Sequence, residues 1–391
     1  MSRAFTLPDR PRVDPPEDLR GLVPMPKITP LPQGVSLVPV EREHSEALNA
    51  LFNRVFGQER PLAHFLWKFW ENPAGPPVGL VALADDDGRV LAANLGLRKR
   101  FSIQGRESGG VLICESASDP DYPSGGRLYR NATIATGFWS GECNLPISFG
   151  GQSTDEAIRI GERWFGYRVL FSLQPWRLRL SLGPALRRRF GAAGAWAARA
   201  LDPVLRSRLR RPGAVEVLAG PFTGEFDAFF ERVRGRYPVL AWRDRATLSW
   251  RYARCPVGRH RTLVLRRGGR MEGYLIYRDW VRDGVRLATV LDLLDGRDSE
   301  AAEALLCAAA RDAAEQGCAF LEFCPMPGST AEEGLRRIPG AAPVENERPD
   351  HIIVTPLPRC TEPEPWYWEV ERVIVRAENW YYTQGDCDYR D

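Results

Sequence analysis

The sequence predicts an α/β fold (an α+β mixed sheet) built twice over, each half a mixed sheet with helices on both faces. Three observations predict it: a series of landmarks that recurs in order, the same alternation of strand-like and helix-like segments around each series, and turn signals at matching places. Phe52-Asn53-Arg54-Val55-Phe56-Gly57 returns as Phe230-Glu231-Arg232-Val233-Arg234-Gly235. Trp67-Lys68-Phe69 with Pro73 returns as Trp250-Arg251-Tyr252 with Pro256. The turn Asp86-Asp87-Gly88-Arg89-Val90 answers Arg267-Gly268-Gly269-Arg270-Met271. Val111-Leu112 answers Val290-Leu291, and Ile147-Ser148-Phe149 answers Leu321-Glu322-Phe323. One such match could arise by chance, but five in sequence point to an internal duplication. A length of 391 residues suits two domains.

The elements follow in the same order in each half. A short strand (Val35 to Val40, or Val215 to Leu218) leads into an amphipathic helix ending near Gly57 or Gly235. A hairpin comes next, Val78 to Ala84 with Val90 to Leu97, or Thr262 to Leu265 with Met271 to Tyr277; its glycine-containing tips suit positive φ. A fourth strand (Gly110 to Ser116, or Arg286 to Leu294), a helix, a further strand (Leu145 to Phe149, or Ala319 to Phe323) and a closing helix with paired strands complete the unit. The expected organisation is a Pro-rich N-terminal tail or strap (1–34), a first domain (35–180), an Arg-rich connector (181–214) and a second domain with a C-terminal extension (215–391).

Composition narrows the function. An apolar content of 44% and a charged content of 26% are those of a packed globular chain. A net charge of +3 gives no global field for nucleic acid. No apolar run approaches the roughly 18–20 residues of a membrane span, and the first residues lack the apolar stretch of a secretory signal. The eight cysteines form no Cys-x-x-Cys pair and several sit in apolar runs, as expected of reduced thiols in a cytoplasmic protein. His44, His64, His260 and His351 are scattered without metal spacing, so no metal is expected, and there is no Gly-x-Ser-x-Gly elbow.

The halves differ most where the fourth strand gives way to its helix. The first reads Glu115-Ser116-Ala117-Ser118-Asp119-Pro120-Asp121-Tyr122-Pro123-Ser124-Gly125-Gly126-Arg127-Leu128, the second Asp292-Leu293-Leu294-Asp295-Gly296-Arg297-Asp298-Ser299-Glu300. A strand, a glycine turn and a helix start aim several backbone N–H groups at one point, and the helix dipole favours an anion there. Ser124, Gly125, Gly126 and Arg127 form such a phosphate cradle, although the same residues also make an ordinary capped turn. In the second half Asp295, Asp298 and Glu300 would repel a phosphate, leaving that half as scaffold or as part of an acceptor site.

This element order, the run Trp67-Lys68-Phe69-Trp70-Glu71-Asn72-Pro73-Ala74-Gly75, and Asp119-Pro120-Asp121-Tyr122 before a glycine turn resemble the GNAT acyltransferase superfamily. Trp250-Arg251-Tyr252, Trp380 and Gly385-Asp386-Cys387-Asp388 resemble, more narrowly, bacterial tandem-GNAT proteins. The resemblance covers roughly residues 36 to 391 and implies two tandem GNAT-like domains related by duplication. It further implies an acyl-CoA such as acetyl-CoA, or an acyl carrier protein, as donor to an amine on a small molecule, sugar or lipid precursor. Pantetheine would pair with the main chain at Ser116, Ala117 and Ser118 like an added strand. Glu115 stands where the superfamily often carries its base, and a carboxylate beside a low-dielectric cleft is expected to have a raised pKa. The superfamily's acid, a Tyr four residues before a Gly-aromatic pair, falls on Glu162 before Gly166-Tyr167, so Tyr167, Tyr122 or a water would have to serve. Pro123 and Leu128 replace the ends of the usual pyrophosphate motif. These departures keep open a non-catalytic tandem GNAT-like binding protein.

Between the halves, ten arginines from Arg177 to Arg211 are opposed only by Asp202, with Leu186, Phe190, Trp196, Leu201 and Leu205 interleaved. Such a stretch can lie on an anionic membrane or strap two domains together. Pro184, Pro203 and the glycines interrupt a long helix and favour the strap.

Overall fold

The computed structural model describes residues 13–23, 29–123, 125–151, 154–210, 213–345, 347–359 and 361–387. In chain order the first elements are β1 (Val35–Pro39), α1 (Ser45–Phe56), α2 (Leu62–Trp70), β2 (Val78–Ala84), β3 (Val90–Ile103), β4 (Arg106–Ser118), α3 (Gly125–Glu142), β5 (Ile147–Gly150), α4 (Asp155–Phe165) and β6 (Val169–Leu173). There follow β7 (Trp176–Arg179), α5 (Gly183–Ser207), β8 (Val215–Val217), α6 (Gly224–Val233), β9 (Val239–Ala241), α7 (Arg245–Leu248), β10 (His260–Arg267), β11 (Arg270–Arg282) and β12 (Val285–Leu294). The last are α8 (Ser299–Glu315), β13 (Phe320–Phe323), α9 (Thr330–Arg336), β14 (Ala341–Pro343), β15 (Asp350–Thr355), α10 (Pro365–Ile374) and β16 (Trp380–Tyr381).

The first sheet runs β1-β2-β3-β4-β5-β15-β6, with β9 added to β3 and β16 to β9. Its hairpins β2–β3 and β3–β4 are antiparallel, whereas β4 and β5 are parallel because α3 carries the chain across the sheet between them. The tip of β3–β4 is Gln104-Gly105, both at positive φ (48° and 81°), which matches the twist of a two-residue hairpin. Apolar residues of α3 (Leu128, Ala132, Ala135) bury against Leu37, Leu80, Ala82 and Leu91 of the sheet.

The second sheet runs β14-β7-β13-β12-β11-β10-β8, again antiparallel through its hairpins and parallel at β12–β13. Its β11–β12 tip, Asp283-Gly284, repeats the positive φ pair (52° and 73°). Helix α8 lies on this sheet through Ala301, Leu305, Leu306 and Ala309, packed with Leu263, Leu275, Val290 and Leu321. Its small side chains let the helix approach closely. The two sheets are therefore the same construction, a mixed α/β fold made twice.

The compact units are not contiguous stretches of chain. The first gathers residues 1–171, 237–242 and 351–380; the second gathers 172–236, 243–350 and 381–391. The segment 351–380, which a linear division leaves with the second half, supplies β15 and α10 to the first. Hydrophobic periodicity reveals strands but not their partners, so this exchange has no signature in the sequence.

The N-terminal segment is a strap on the first unit. Leu19 and Val23 bury against Tyr367 and Trp368 of α10, Asp18 pairs with Arg372 at 2.6 Å, and Thr29 bonds Asn131 of α3 at 3.0 Å. No helix among the described residues is long and apolar enough to cross a membrane, and no cluster of three or more His, Cys, Asp or Glu side chains among them could hold a metal.

Candidate functional site

The candidate site is built by β4, β5 and the start of α3. Strand β5 pairs with β4 only at Gly110, Val111 and Leu112, facing Ile147, Ser148 and Phe149. Beyond that point β4 runs on to Ser118 with β3 on one side and, among the described residues, no strand on the other. A bulge helps to open this edge. Leu95 faces Glu115 while Gly96 faces Ile113, so Cys114 is the extra residue. The main chain of Ser116, Ala117 and Ser118 thus presents a bare edge leading directly to the glycine turn.

Asp119 organises that turn. Its carboxylate accepts from the Asp121 N–H at 3.0 Å and is held by Arg54 at 2.7 Å and Arg89 at 3.3 Å. A Cβ at position 125 would sit 3.0 Å from the Asp119 carbonyl oxygen, so the close return of the chain depends on glycine. The Gly125 N–H is already bonded to the Tyr122 carbonyl at 2.9 Å. Gly126 is exposed with open space around it, at the first turn of an 18-residue helix, where N–H groups lack intrahelical acceptors. Arg127 is exposed and donates to the Pro30 carbonyl of the strap at 2.5 Å. Ser124, expected in the same cradle, lies outside the described residues.

Along the bare edge, Ser116 accepts from Asn94 Nδ2 at 2.6 Å, and the Asn94 Oδ1 is buried without a hydrogen-bond partner. The Tyr129 phenol lies against the Ser116 and Thr133 hydroxyls; burial pushes its pKa up and those hydroxyls pull it partly back. Its ring meets Phe165 edge-on at 6.1 Å. Sequence reading passed over Tyr129, yet it stands four residues after Gly125, on the same helical face one turn in. Tyr167 is less suited to proton transfer. Its ring packs where Gly161 has no side chain, and burial raises its pKa strongly.

Glu115 faces away from this cluster into a different environment. Its carboxylate is buried, paired with both Arg60 and Lys68; Arg60 Nη2 lies at 2.9 Å and Lys68 Nζ at 2.7 Å. Burial alone would raise the pKa, as expected from the sequence, but the two cations outweigh it and hold the group below the ordinary carboxylate value. The expected raised pKa is thereby corrected. Arg60 is itself fixed by α1: Asn49 Oδ1 accepts from its Nε at 2.8 Å, while Asn49 and Asn53 both donate to its carbonyl at 2.9 Å. Lys68 comes from the Trp67-Lys68-Phe69 run on α2, which gives that landmark a physical function.

The second unit repeats the clasp. A bulge at Leu291 puts Asp292 opposite Ile276, the counterpart of Glu115 opposite Leu95. Arg243, two residues before α7 as Arg60 is two before α2, donates to Asp292 at 3.1 Å and to Asp386 at 2.7 Å. Tyr252 and Tyr274 each place a hydroxyl 3.3 Å from Asp292, and Thr383 bonds it at 3.2 Å. Burial lowers the Arg243 pKa, but its two carboxylates raise it well above its ordinary value. Gly385 has no side chain because a Cβ would lie 2.1 Å from the Tyr252 hydroxyl oxygen. Tyr252, Gly385 and Asp386 are thus parts of one buried network.

At the second glycine turn the helix start is already occupied. Asp298 caps α8 by accepting from the Glu300 and Ala301 N–H groups at 2.9 and 3.2 Å, and it pairs with Arg267 at 2.8 Å. Asp295 accepts from the Arg297 N–H at 2.9 Å and from Thr330 at 2.6 Å. The protein's own carboxylates satisfy these donors, leaving little for an external anion.

No protein-family model and no curated protein sequence matches this chain. Solved structures do match it in shape. N-myristoyltransferase of Saccharomyces cerevisiae with bound myristoyl-CoA is similar over 90% of this chain and 90% of its own, at 9% identity and a TM-score of 0.54. A GCN5-related N-acetyltransferase of Anabaena variabilis is similar over 82% of this chain and 72% of its own, at 12% identity and 0.58. Eis1 of Mycobacterium abscessus is similar over 87% and 76%, at 15% identity and 0.54. At these identities the likeness concerns architecture, and it shows that this chain has the GNAT fold in a tandem arrangement.

Proposed function

We propose that the protein is an N-acyltransferase that takes its acyl group from acyl-CoA, or from an acyl carrier protein, and gives it to an amine. The observation that carries this is the edge of β4 from Ile113 to Ser118, which has no strand partner among the described residues and whose end at Ser118 lies beside Gly125 at the start of α3. A pantetheine arm can hydrogen-bond along such an edge, and a pyrophosphate fits a helix start. The S. cerevisiae structure similar to this one holds myristoyl-CoA, which supports the same class of donor here.

In this reading the amine nitrogen attacks the thioester carbon and gives up its proton to solvent water, the C–S bond breaks, and the departing sulfur takes a proton from Tyr129, which solvent then reprotonates. The Tyr129 phenol stays protonated because it is buried, and it stands beside the strand edge that the thioester would follow. Gly126 and the following N–H groups hold the diphosphate, with Ser116, Ala117, Ser118, Ser124 and Gly125 shaping the approach. Arg127 contributes once it leaves the Pro30 carbonyl. Glu115, the position where a base is expected, acts instead through Arg60 and Lys68 to hold β4 against α1 and α2. The amine acceptor is a small molecule, a sugar or a lipid precursor.

Gly126→Glu tests the donor site. The new side chain enters open space, so folding should be preserved while a carboxylate meets the phosphates. Calorimetry with acetyl-CoA and longer acyl-CoAs should show at least a tenfold loss of affinity, corresponding to about 1.4 kcal/mol. Unchanged binding removes this turn from the donor site, and no binding of any acyl-CoA by the unmodified protein removes acyl-CoA as the donor.

A further inference from the structure

Helix α5 is two helices joined at Gly191, whose φ of 58° and ψ of −135° suit glycine alone. In a continuous helix, Leu186 and Gly194 would stand about 12 Å apart along the axis. Here a Cβ on Gly194 would lie 2.0 Å from the Leu186 carbonyl oxygen, so the second segment folds back onto the first. One side of the second segment, with Ala198, Asp202 and Leu209 just beyond its end, is buried.

The opposite side is the unexpected one. Ala193, Trp196, Ala197, Ala200, Leu201 and Val204 recur at the spacing of a helical stripe, the pattern that normally faces a core. All six are exposed, Trp196 by 70%, Val204 by 59% and Leu201 by 46%, and Phe190 beside the bend is 55% exposed. Arginines flank the stripe. Arg187, Arg188, Arg189, Arg199 and Arg208 are exposed, and the acid of this stretch, Asp202, is turned inward to Ser181 and Leu182 at 2.6 and 2.8 Å. At the bend, Arg187, Gly191, Ala192, Trp196 and Arg199 line a notch of about 420 Å³.

We infer that this bent helix is a docking surface for an anionic lipid bilayer. An apolar stripe with exposed Trp and Phe, edged by guanidinium groups and free of outward acids, has the chemistry of the zone between acyl chains and headgroups. The notch, lined in part by Arg187 and Arg199, can take a headgroup phosphate. A second copy of the chain is the poorer occupant, because it would bring one arginine rim against another. The inference concerns where the protein works and stands independently of the acyltransferase reading. It takes up the membrane-surface alternative that the sequence left open beside the strap favoured by Pro184 and Pro203.

The test is flotation of the full-length protein with vesicles of phosphatidylcholine, alone or mixed with phosphatidylglycerol. Binding should appear only with the anionic mixture and should fall away near 1 M salt, where the Debye length is about 3 Å. Arg187→Gln, Arg188→Gln and Arg189→Gln together should weaken partitioning roughly 100-fold, about fivefold for each charge. Trp196→Ala should weaken it roughly tenfold. All four positions are exposed, so melting temperatures should not change. No binding to anionic vesicles, or binding indifferent to lipid charge, overturns the inference. So does a dimer in solution that Trp196→Ala dissolves, which would assign the stripe to a second copy.

Discussion

Replacing Glu115 by Gln separates a proton acceptor from a structural clasp. The glutamine keeps the size of the side chain but leaves Arg60 and Lys68, both nearly inaccessible, facing a neutral group. Breaking a buried pair by removing one partner costs about 3–5 kcal/mol because the other charge is stranded. For a unit of this size each kcal/mol lowers the melting temperature by about 2–4 °C, so the fall should be roughly 6–20 °C. Lys68→Met should cost less, since it leaves a one-to-one pair between Glu115 and Arg60. The effect should depend on pH with a defined sign. Because the folded pKa lies below the ordinary glutamate value of 4.5, the stabilisation is present above that value and is lost as pH falls through the folded pKa. The variant should therefore lose most near neutral pH and converge on the parent in acid. Scanning calorimetry from pH 3 to 8, with acyl transfer assayed alongside, reads both properties. An unchanged melting temperature with turnover abolished would refute the clasp and restore Glu115 as base.

Further outcomes follow from other sites. Tyr129→Phe should lower kcat about 10²- to 10⁴-fold with little change in KM for acyl-CoA, read in steady-state assays; an unchanged kcat would put the acid elsewhere. Glu371 is completely inaccessible, has one carboxylate oxygen without a partner, and is pushed up to about 8 by burial. Its folded form keeps a proton that the unfolded chain loses near 4.5, so stability should decline as pH rises from about 4.5 to 8. Glu371→Gln should then raise the melting temperature at pH 8, by a free energy on the order of 3–5 kcal/mol, and change it little at pH 5. Gly385→Ala forces a methyl against the Tyr252 hydroxyl and should destabilise by about 1–3 kcal/mol in denaturant titrations, with acyl-CoA binding retained.

Much of this architecture was legible in the residues. The recurrence of Trp67-Lys68-Phe69 as Trp250-Arg251-Tyr252, and the glycine-tipped hairpins, located β1 to β5 of the first sheet and β8 and β10 to β13 of the second. The β3–β4 ribbon is longer than expected because Arg98, Lys99 and Arg100 break the apolar alternation while still pairing with Val111, Gly110 and Gly109. The chemistry of Glu115 was not legible, because its partners Arg60 and Lys68 are far away in sequence and a carboxylate at a strand end looks the same in a cleft or a clasp. The use of Asp292 in the equivalent clasp is visible only once the two bulges fix the register. Tyr129 was not legible either, because a tyrosine in the second turn of a helix looks the same in sequence whether it faces a cleft or a core. The exposure of the α5 stripe was hidden for a simpler reason: periodicity shows that a helix has an apolar side, never which way that side turns.

The interleaving of the two units bears on how such a protein can be divided or inherited. A gene fragment ending near residue 180 would encode β4, β5 and the glycine turn, yet it would lack β15, the strand between β5 and β6, and α10. Its translation product would expose raw hydrogen-bonding edges in the middle of a sheet and should aggregate. With their segments interleaved in this way, neither unit can be lost, shuffled or evolved as a free-standing module. A second half without its own phosphate cradle would then persist because the first cannot close without the chain that runs through it.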